Sequence, residues 1–191
     1  MIQALGSHQT PTIWGLNPVE VHDRFWAARG VQVVRQGEPV ELARDAELFL
    51  LTDPHSFSIF RLGQIVETLS WLKPKVLFVR LHNTREQGYH ERVISDADDR
   101  FVRFERVYGG MDWRLARVAL TPRRDVAEMW QQAESVRDGW RLLRRTITPN
   151  MRTTLSVEGS VYDNSYDAEV MAFLRELVSV WKRPDSTIPR A

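Results

Sequence analysis

The sequence predicts an α/β fold: a single domain with a mixed sheet, built from a parallel βαβ segment and an antiparallel meander, with helices packed on the sheet. Three observations carry this. A continuous apolar run at 47–52 reads as a strand buried on both faces, the pattern of sheets covered by helices on either side, and 75–81 is a second, clearer strand. An amphipathic stretch lies between them, and strand, helix, strand with short links is the sequence form of a βαβ crossover. Three strand-like stretches with turn residues between them follow, which is the form of a meander.

The first helix is the best-written local signal. Asn17 is a good N-cap, Pro18 stands at the first helical position, and Glu20 is three residues after the cap. This is a capping-box arrangement, with Leu16 and Val21 at the positions of a hydrophobic staple. The helix is expected over 18–29, with Val21 and Phe25 inward, and Gly30 stops it. A short strand follows at 31–35, then a turn at Gly37-Glu-Pro39. The apolar strand 47–52 ends at Asp53-Pro54, and 57–61 is a weaker strand candidate.

Residues 64–72 are helical, because Ile65, Leu69 and Leu72 fall at i, i+4 and i+7, and Pro74 stops the run. The clearest strand is 75–81. The meander strands are 90–95, 100–107 and 114–120, with 100–107 and 114–120 expected as antiparallel neighbours. A polar helical region spans about 125–145, and Gly139 is expected to interrupt it. A strand is expected at 155–162. The last helix is the most periodic segment: Val170, Phe173, Leu174, Leu177, Val178 and Trp181 form one stripe, and Phe173, Leu174, Leu177 and Trp181 should be buried. The domain is taken as 1–183, with 184–191 a flexible tail or linker, and another domain or subunit is a candidate partner.

Composition excludes several classes. At 43% hydrophobic residues and net charge +1 the chain is not intrinsically disordered. It has no apolar run near the ~18 residues of a membrane span. Without cysteine it has no disulfide framework, Cys-ligated zinc or thiol nucleophile. The 23 Arg and three Lys (Lys73, Lys75, Lys182) are balanced by 25 acidic residues, which argues against a nucleic-acid binder. The first ten residues lack a secretory signal, so a cytoplasmic location is expected. The phosphate-binding patterns G-x-G-x-x-G and G-x-x-x-x-G-K-[ST] and the nucleophile elbow G-x-S-x-G are missing from the sequence.

Two groupings carry candidate chemistry. In open α/β sheets ligands bind outside the carboxyl ends of the strands. The loop after the clearest strand holds His82, Arg85 and His90, and the turn after the other buried strand holds Asp53 and His55. If the strands are parallel, these five open on one edge. Arg85 then neutralises a phosphate or carboxylate, and His82 or His90 titrates near neutral pH. The second grouping is Asp96-Ala97-Asp98 after an apolar pair. Two carboxylates so spaced at a strand end can hold a divalent ion that bridges a diphosphate; the same residues also read as a hairpin turn. His22-Asp23 reads as a pair at the surface or edge of the first helix. Trp14, Trp26, Trp71, Trp130, Trp140 and Trp181 lie on or beside predicted helices and read as core, with Trp113 exposed.

The stretch 91–106, an apolar strand, an acidic turn and a strand ending in Phe104-Glu105, resembles a segment of the sugar nucleotidyltransferases. That family's opening Gly-rich, Arg-containing nucleotide loop has no counterpart in residues 1–30, so no catalytic residue is carried over. The resemblance implies a carbohydrate or nucleotide-sugar setting. The expected function is a non-catalytic α/β module of carbohydrate or nucleotide-sugar metabolism, such as polysaccharide assembly, that takes an anionic small molecule. The alternative is a transferase acting on a nucleotide-sugar or phosphosugar, with Mg²⁺ or Mn²⁺ on Asp96 and Asp98.

Overall fold

In a computed structural model, which describes residues 15–82, 90–98, 100–107 and 116–181, the capping box forms as the sequence implies. The Glu20 amide donates to Asn17 Oδ1 and the Asn17 amide to Glu20 Oε2, both at 2.9 Å, and α1 runs Pro18–Ala27. The strands are β1 Val31–Arg35, β2 Leu48–Thr52, β3 Ser56–Phe60, β4 Val76–His82, β5 His90–Ser95, β6 Phe101–Val107, β7 Ala116–Thr121 and β8 Arg152–Asp163. The other helices are α2 Gly63–Leu72, α3 Arg124–Gln131, α4 Val136–Thr146 and α5 Asp167–Trp181.

Six strands form one mixed sheet in the order β1-β2-β7-β4-β8-β3, and β5 and β6 form a separate hairpin. The parallel ladders are β1–β2 and β4–β8. β2 and β4 run in the same direction, as the strand–helix–strand spacing implies, but β7 is inserted antiparallel between them and bonded to both. The meander is therefore corrected. β6 pairs with β5, whereas β7 leaves it for the sheet centre, where Val118, Ala119 and Leu120 are buried. β8 is long because it serves two partners: Arg152–Glu158 lies along β4, and Gly159–Asp163 pairs with β3.

Both sheet faces are covered, which is why Leu48–Leu51 of β2 and Val76–Val79 of β4 are apolar without alternation. On one face α1, α2 and α5 pack Phe25, Trp26, Ile65 and Phe173 over Leu50, Leu77 and Val79. On the other, α3 and α4 pack Trp130 and Leu143 over Phe49, Leu51 and Phe78. Of the last helix's predicted stripe, Phe173, Leu174 and Leu177 are buried, but Trp181 keeps 36% of its surface in solvent beside Phe25. Trp71 is 81% exposed rather than core. It lies six residues from the buried Ile65, which at 100° per residue turns it about 120° from the inner face. Trp14, Trp113 and the 184–191 tail lie outside the described residues.

Gly139 does not break its helix; the break falls at 132–135, and Gly139 lies inside α4. It permits a close approach. A Cβ there would sit 2.6 and 2.7 Å from ring carbons of Trp130, whose indole is fully buried and 4.5 Å from the Trp140 ring. Gly139→Val is therefore expected to destabilise by about 2–3 kcal/mol through overpacking, read as a lower urea midpoint with an unchanged m-value.

Each outer edge of the sheet is closed by side chains. On β1 the Gln32 amide donates to the Glu41 carbonyl and accepts from the Ala43 amide, both at 2.8 Å, strapping the 36–47 connection along the edge. On β3 the outward amide and carbonyl of Ser58 meet His22 and Trp26 of α1. A strand edge left open is a template for pairing with other chains, and here two α1 side chains occupy it.

Candidate functional site

β1, β2, β4 and β8 all run one way. Their carboxyl ends share an edge, and all four strands finish on polar residues: Arg35, Thr52, His82 and Asp163. β7 enters the sheet from this same edge, so residues 83–115, which include the β5–β6 hairpin, leave and return there.

The sequence-predicted residues distribute as follows. Asp53 and His55 form the turn after β2: Asp53 Oδ1 accepts the His55 amide at 2.7 Å, an Asx turn. Asn164 ties this turn to the end of β8, donating its amide to the His55 carbonyl at 2.9 Å and its side chain to the Pro54 carbonyl at 3.2 Å. His82, half-buried, ends β4 in register with Glu158. β3 begins opposite Asp163, five positions further along β8, so ~16 Å of strand separates the 53–55 turn from His82. Both groups lie at the carboxyl edge, and among the described residues no hydrogen bond or ion pair joins Asp53 or His55 to His82. Arg85 lies outside the described residues, and the His90 backbone opens β5 opposite Val107.

Asp96 sits in the hairpin loop. Its Oδ1 accepts the amides of Asp98 and Arg100, both at 2.9 Å, and its own amide donates to the Arg100 carbonyl. Asp98 is exposed at the tip. Among the described residues no group of three or more His, Asp or Glu side chains is gathered to hold a metal ion.

What the sequence reading missed is a buried polar cluster under this edge. His22 is fully buried, not a surface residue, packed against Phe57 and Phe173 at ring distances of 5.2 and 5.7 Å. Arg35, 2% exposed, grips Asp23 with both terminal nitrogens at 2.8 and 3.2 Å, and places one of them 3.1 Å from His22 Nδ1. His22 Nε2 accepts from the Ser58 amide and from the Trp26 indole N–H, both at 3.1 Å, and lies 3.1 Å from the Ser58 carbonyl. Burial holds the His22 imidazole below its ordinary value of 6.5; Asp23 pulls it the other way, and the Arg35 charge adds to the lowering. Burial also raises the Asp23 carboxyl, but His22 and the hydrogen bonds and charge of Arg35 outweigh it, and the group ends below 3.8. The sequence did contain a signal. His22 shares the α1 stripe of Val21, Phe25 and Trp26, and Arg35 follows the apolar pair Val33-Val34 at the end of β1.

The cluster has spare hydrogen-bonding capacity. Arg35 Nε, Thr52 Oγ1 and Ser58 Oγ are buried without a partner among the described residues. Arg35 and Thr52 are register partners at the ends of β1 and β2. Asp23, 44% exposed, connects the cluster to the surface and to a cleft of about 480 Å³ beside β1, walled by Ala27, Val31, Val33 and Glu47.

No protein-family model matches this chain, and no curated protein does. Two solved structures are similar in chain path. One is the 4-diphosphocytidyl-2C-methyl-D-erythritol synthase of Anaerococcus prevotii, with TM-score 0.41 and 15% identity over 89% of this chain and 94% of that one. The other is described as a glucose-1-phosphate thymidylyltransferase of Bacillus anthracis in complex with a sucrose. Its TM-score is 0.32 and its identity 8%, over 73% of this chain and 56% of that one. No helix among the described residues is long and apolar enough to cross a membrane.

Proposed function

We propose that this chain is a binding module of carbohydrate metabolism that holds an anionic sugar, a phosphosugar or nucleotide-sugar, at the carboxyl edge of β1, β2 and β4. One observation carries the reading: three strands running the same way deliver Arg35, Thr52 and His82 to one edge, where open α/β sheets bind ligands. In this reading Asp53, His55 and His82 flank the ligand, Arg85 and His90 approach from the excursion after β4, and Arg85 meets the anion. The sugar class rests on the 91–106 resemblance.

Binding is favoured over catalysis by what the described groups already do. His22 is committed to the β3 edge, Arg35 to Asp23, and Asp96 Oδ1 to its own turn. A thermal-shift series with glucose 1-phosphate and a panel of nucleotide-sugars, with and without Mg²⁺, tests this. At a hundredfold excess over Kd a ligand stabilises by about 2.7 kcal/mol. The expected result is metal-independent stabilisation by at least one compound, weakened in His82→Ala and Arg85→Ala. Stabilisation by none of them overturns the proposal. A shift that needs Mg²⁺ and disappears in Asp98→Ala replaces it with the metal-dependent transferase.

A further inference from the structure

The opposite edge of the sheet carries a second concavity. A groove of about 410 Å³ lies where β2 and β4 begin and β7 ends, under the last two turns of α2. Its apolar wall is Val66 and Leu69 of α2 with Met151. Its polar lining is unbalanced: Lys73, Lys75 and Arg123 against Glu47. Arg123 is held by Asp125 at 3.0 and 3.2 Å, and Glu47 packs on Gly30, 3.3 Å from where a Cβ there would stand. Lys73 and Lys75 have no ion-pair partner among the described residues.

Two features set these lysines apart. The chain writes 23 of its 26 basic residues as Arg, yet two of its three Lys line this one groove. Lys gives a compact point charge where Arg gives a planar fork. Lys73 is also the one non-glycine residue with a positive φ among the described residues: it closes α2 at φ 44° and ψ 46°. That conformation suits glycine, and Pro74 after it favours an extended residue instead. A glycine would close the helix with less strain, so the backbone pays for a side chain here, and such outliers collect at functional positions.

We infer that this groove binds an amphipathic anion, a carboxylate or phosphate head on a short apolar body, with the head between Lys73 and Lys75 and the body on Val66, Leu69 and Met151. The two ammonium groups supply charge-assisted donors for the head, and the half-buried α2 face supplies the apolar contact. The site is separate from the carboxyl edge and does not depend on the sugar reading.

Calorimetric titration of the full chain at low salt with decanoate, decyl phosphate and decyltrimethylammonium tests it. At least one anion is expected to bind and the cation not to. Binding of decanoate alone assigns a carboxylate head, and of decyl phosphate alone a phosphate head. Lys75→Gln and Lys73→Gly are each expected to weaken binding about tenfold, the scale of one charge-assisted hydrogen bond. Lys73→Gly should also leave the melting temperature equal or higher, since glycine relieves the left-handed backbone, so loss of binding is not loss of fold. The inference is overturned if neither anion binds, if the cation binds as well as the anions, or if both variants retain wild-type affinity.

Discussion

Trp26→Ala is expected to remove about 3–5 kcal/mol of stability, a large share of the ~5–15 kcal/mol that holds a domain together. Trp26 is fully buried, with its ring 4.6 Å from Phe60 and 5.2 Å from Phe25, so truncation leaves a cavity between α1 and the sheet. The indole also does something no aliphatic residue can do: its N–H donates to the Ser58 carbonyl at 3.2 Å on the outer edge of β3. Trp26→Phe separates the two roles. It keeps most of the apolar volume and should lose about 1–2 kcal/mol, mainly for the lost indole hydrogen bonds. Urea unfolding followed by far-UV circular dichroism measures both. A loss under 1 kcal/mol for Trp26→Ala would show that α1 is not anchored through this residue.

Stability is expected to fall on mild acidification, and His22 sets the window. The folded state keeps the imidazole neutral, with its value held below 6.5 by burial first and by Arg35 in addition. The unfolded chain takes up a proton as pH drops through 6.5, and the folded state does so only at a lower pH. Between the two values the unfolded state binds more protons, so the unfolding free energy decreases by about 1.4 kcal/mol per pH unit, and above 6.5 the contribution is constant. Asp23 and Arg35 are the charged groups that face the ring; Trp26, Phe57 and Phe173 enclose it without titrating. The Asp23 carboxyl, lowered in the fold, adds a further loss only as pH falls below 3.8. Urea midpoints at pH 7.0, 6.0 and 5.0 check this against His22→Gln, which should be less stable at pH 7 but have a flatter pH profile. Identical profiles would mean that His22 does not set the acid limit.

The closed sheet edges bear on how the site is carried. His22 and Trp26 fix α1 to β3, and Arg35 fixes α1 to β1 through Asp23, so one helix braces strands at both ends of the sheet order. The carboxyl edge thus rests on a framework whose buried polar groups bond to one another across elements as well as within α1. Arg35 Nε and Thr52 Oγ1, left over from that bonding, mark where the framework meets the edge.

Local structure is legible in the sequence alone. The Asn17–Glu20 box, the periodicity of α5 and the apolar runs of β2 and β4 each depend on residues within a few turns or along one strand, and they form as read except that Trp181, at the end of the α5 stripe, stays partly in solvent. The sequence also placed Asp53, His55 and His82 at the carboxyl edge, because strand direction follows from the alternation of strands and helices. That β7 separates β2 from β4 is not legible along the chain, since an apolar strand carries no label for its neighbours and pairing is settled by what else must be buried. Only the tertiary structure brought His22, Asp23, Arg35 and Ser58 together. Their contacts span up to 36 residues of chain, and each is shaped by an edge that needed closing, a burial cost that needed a partner, or both.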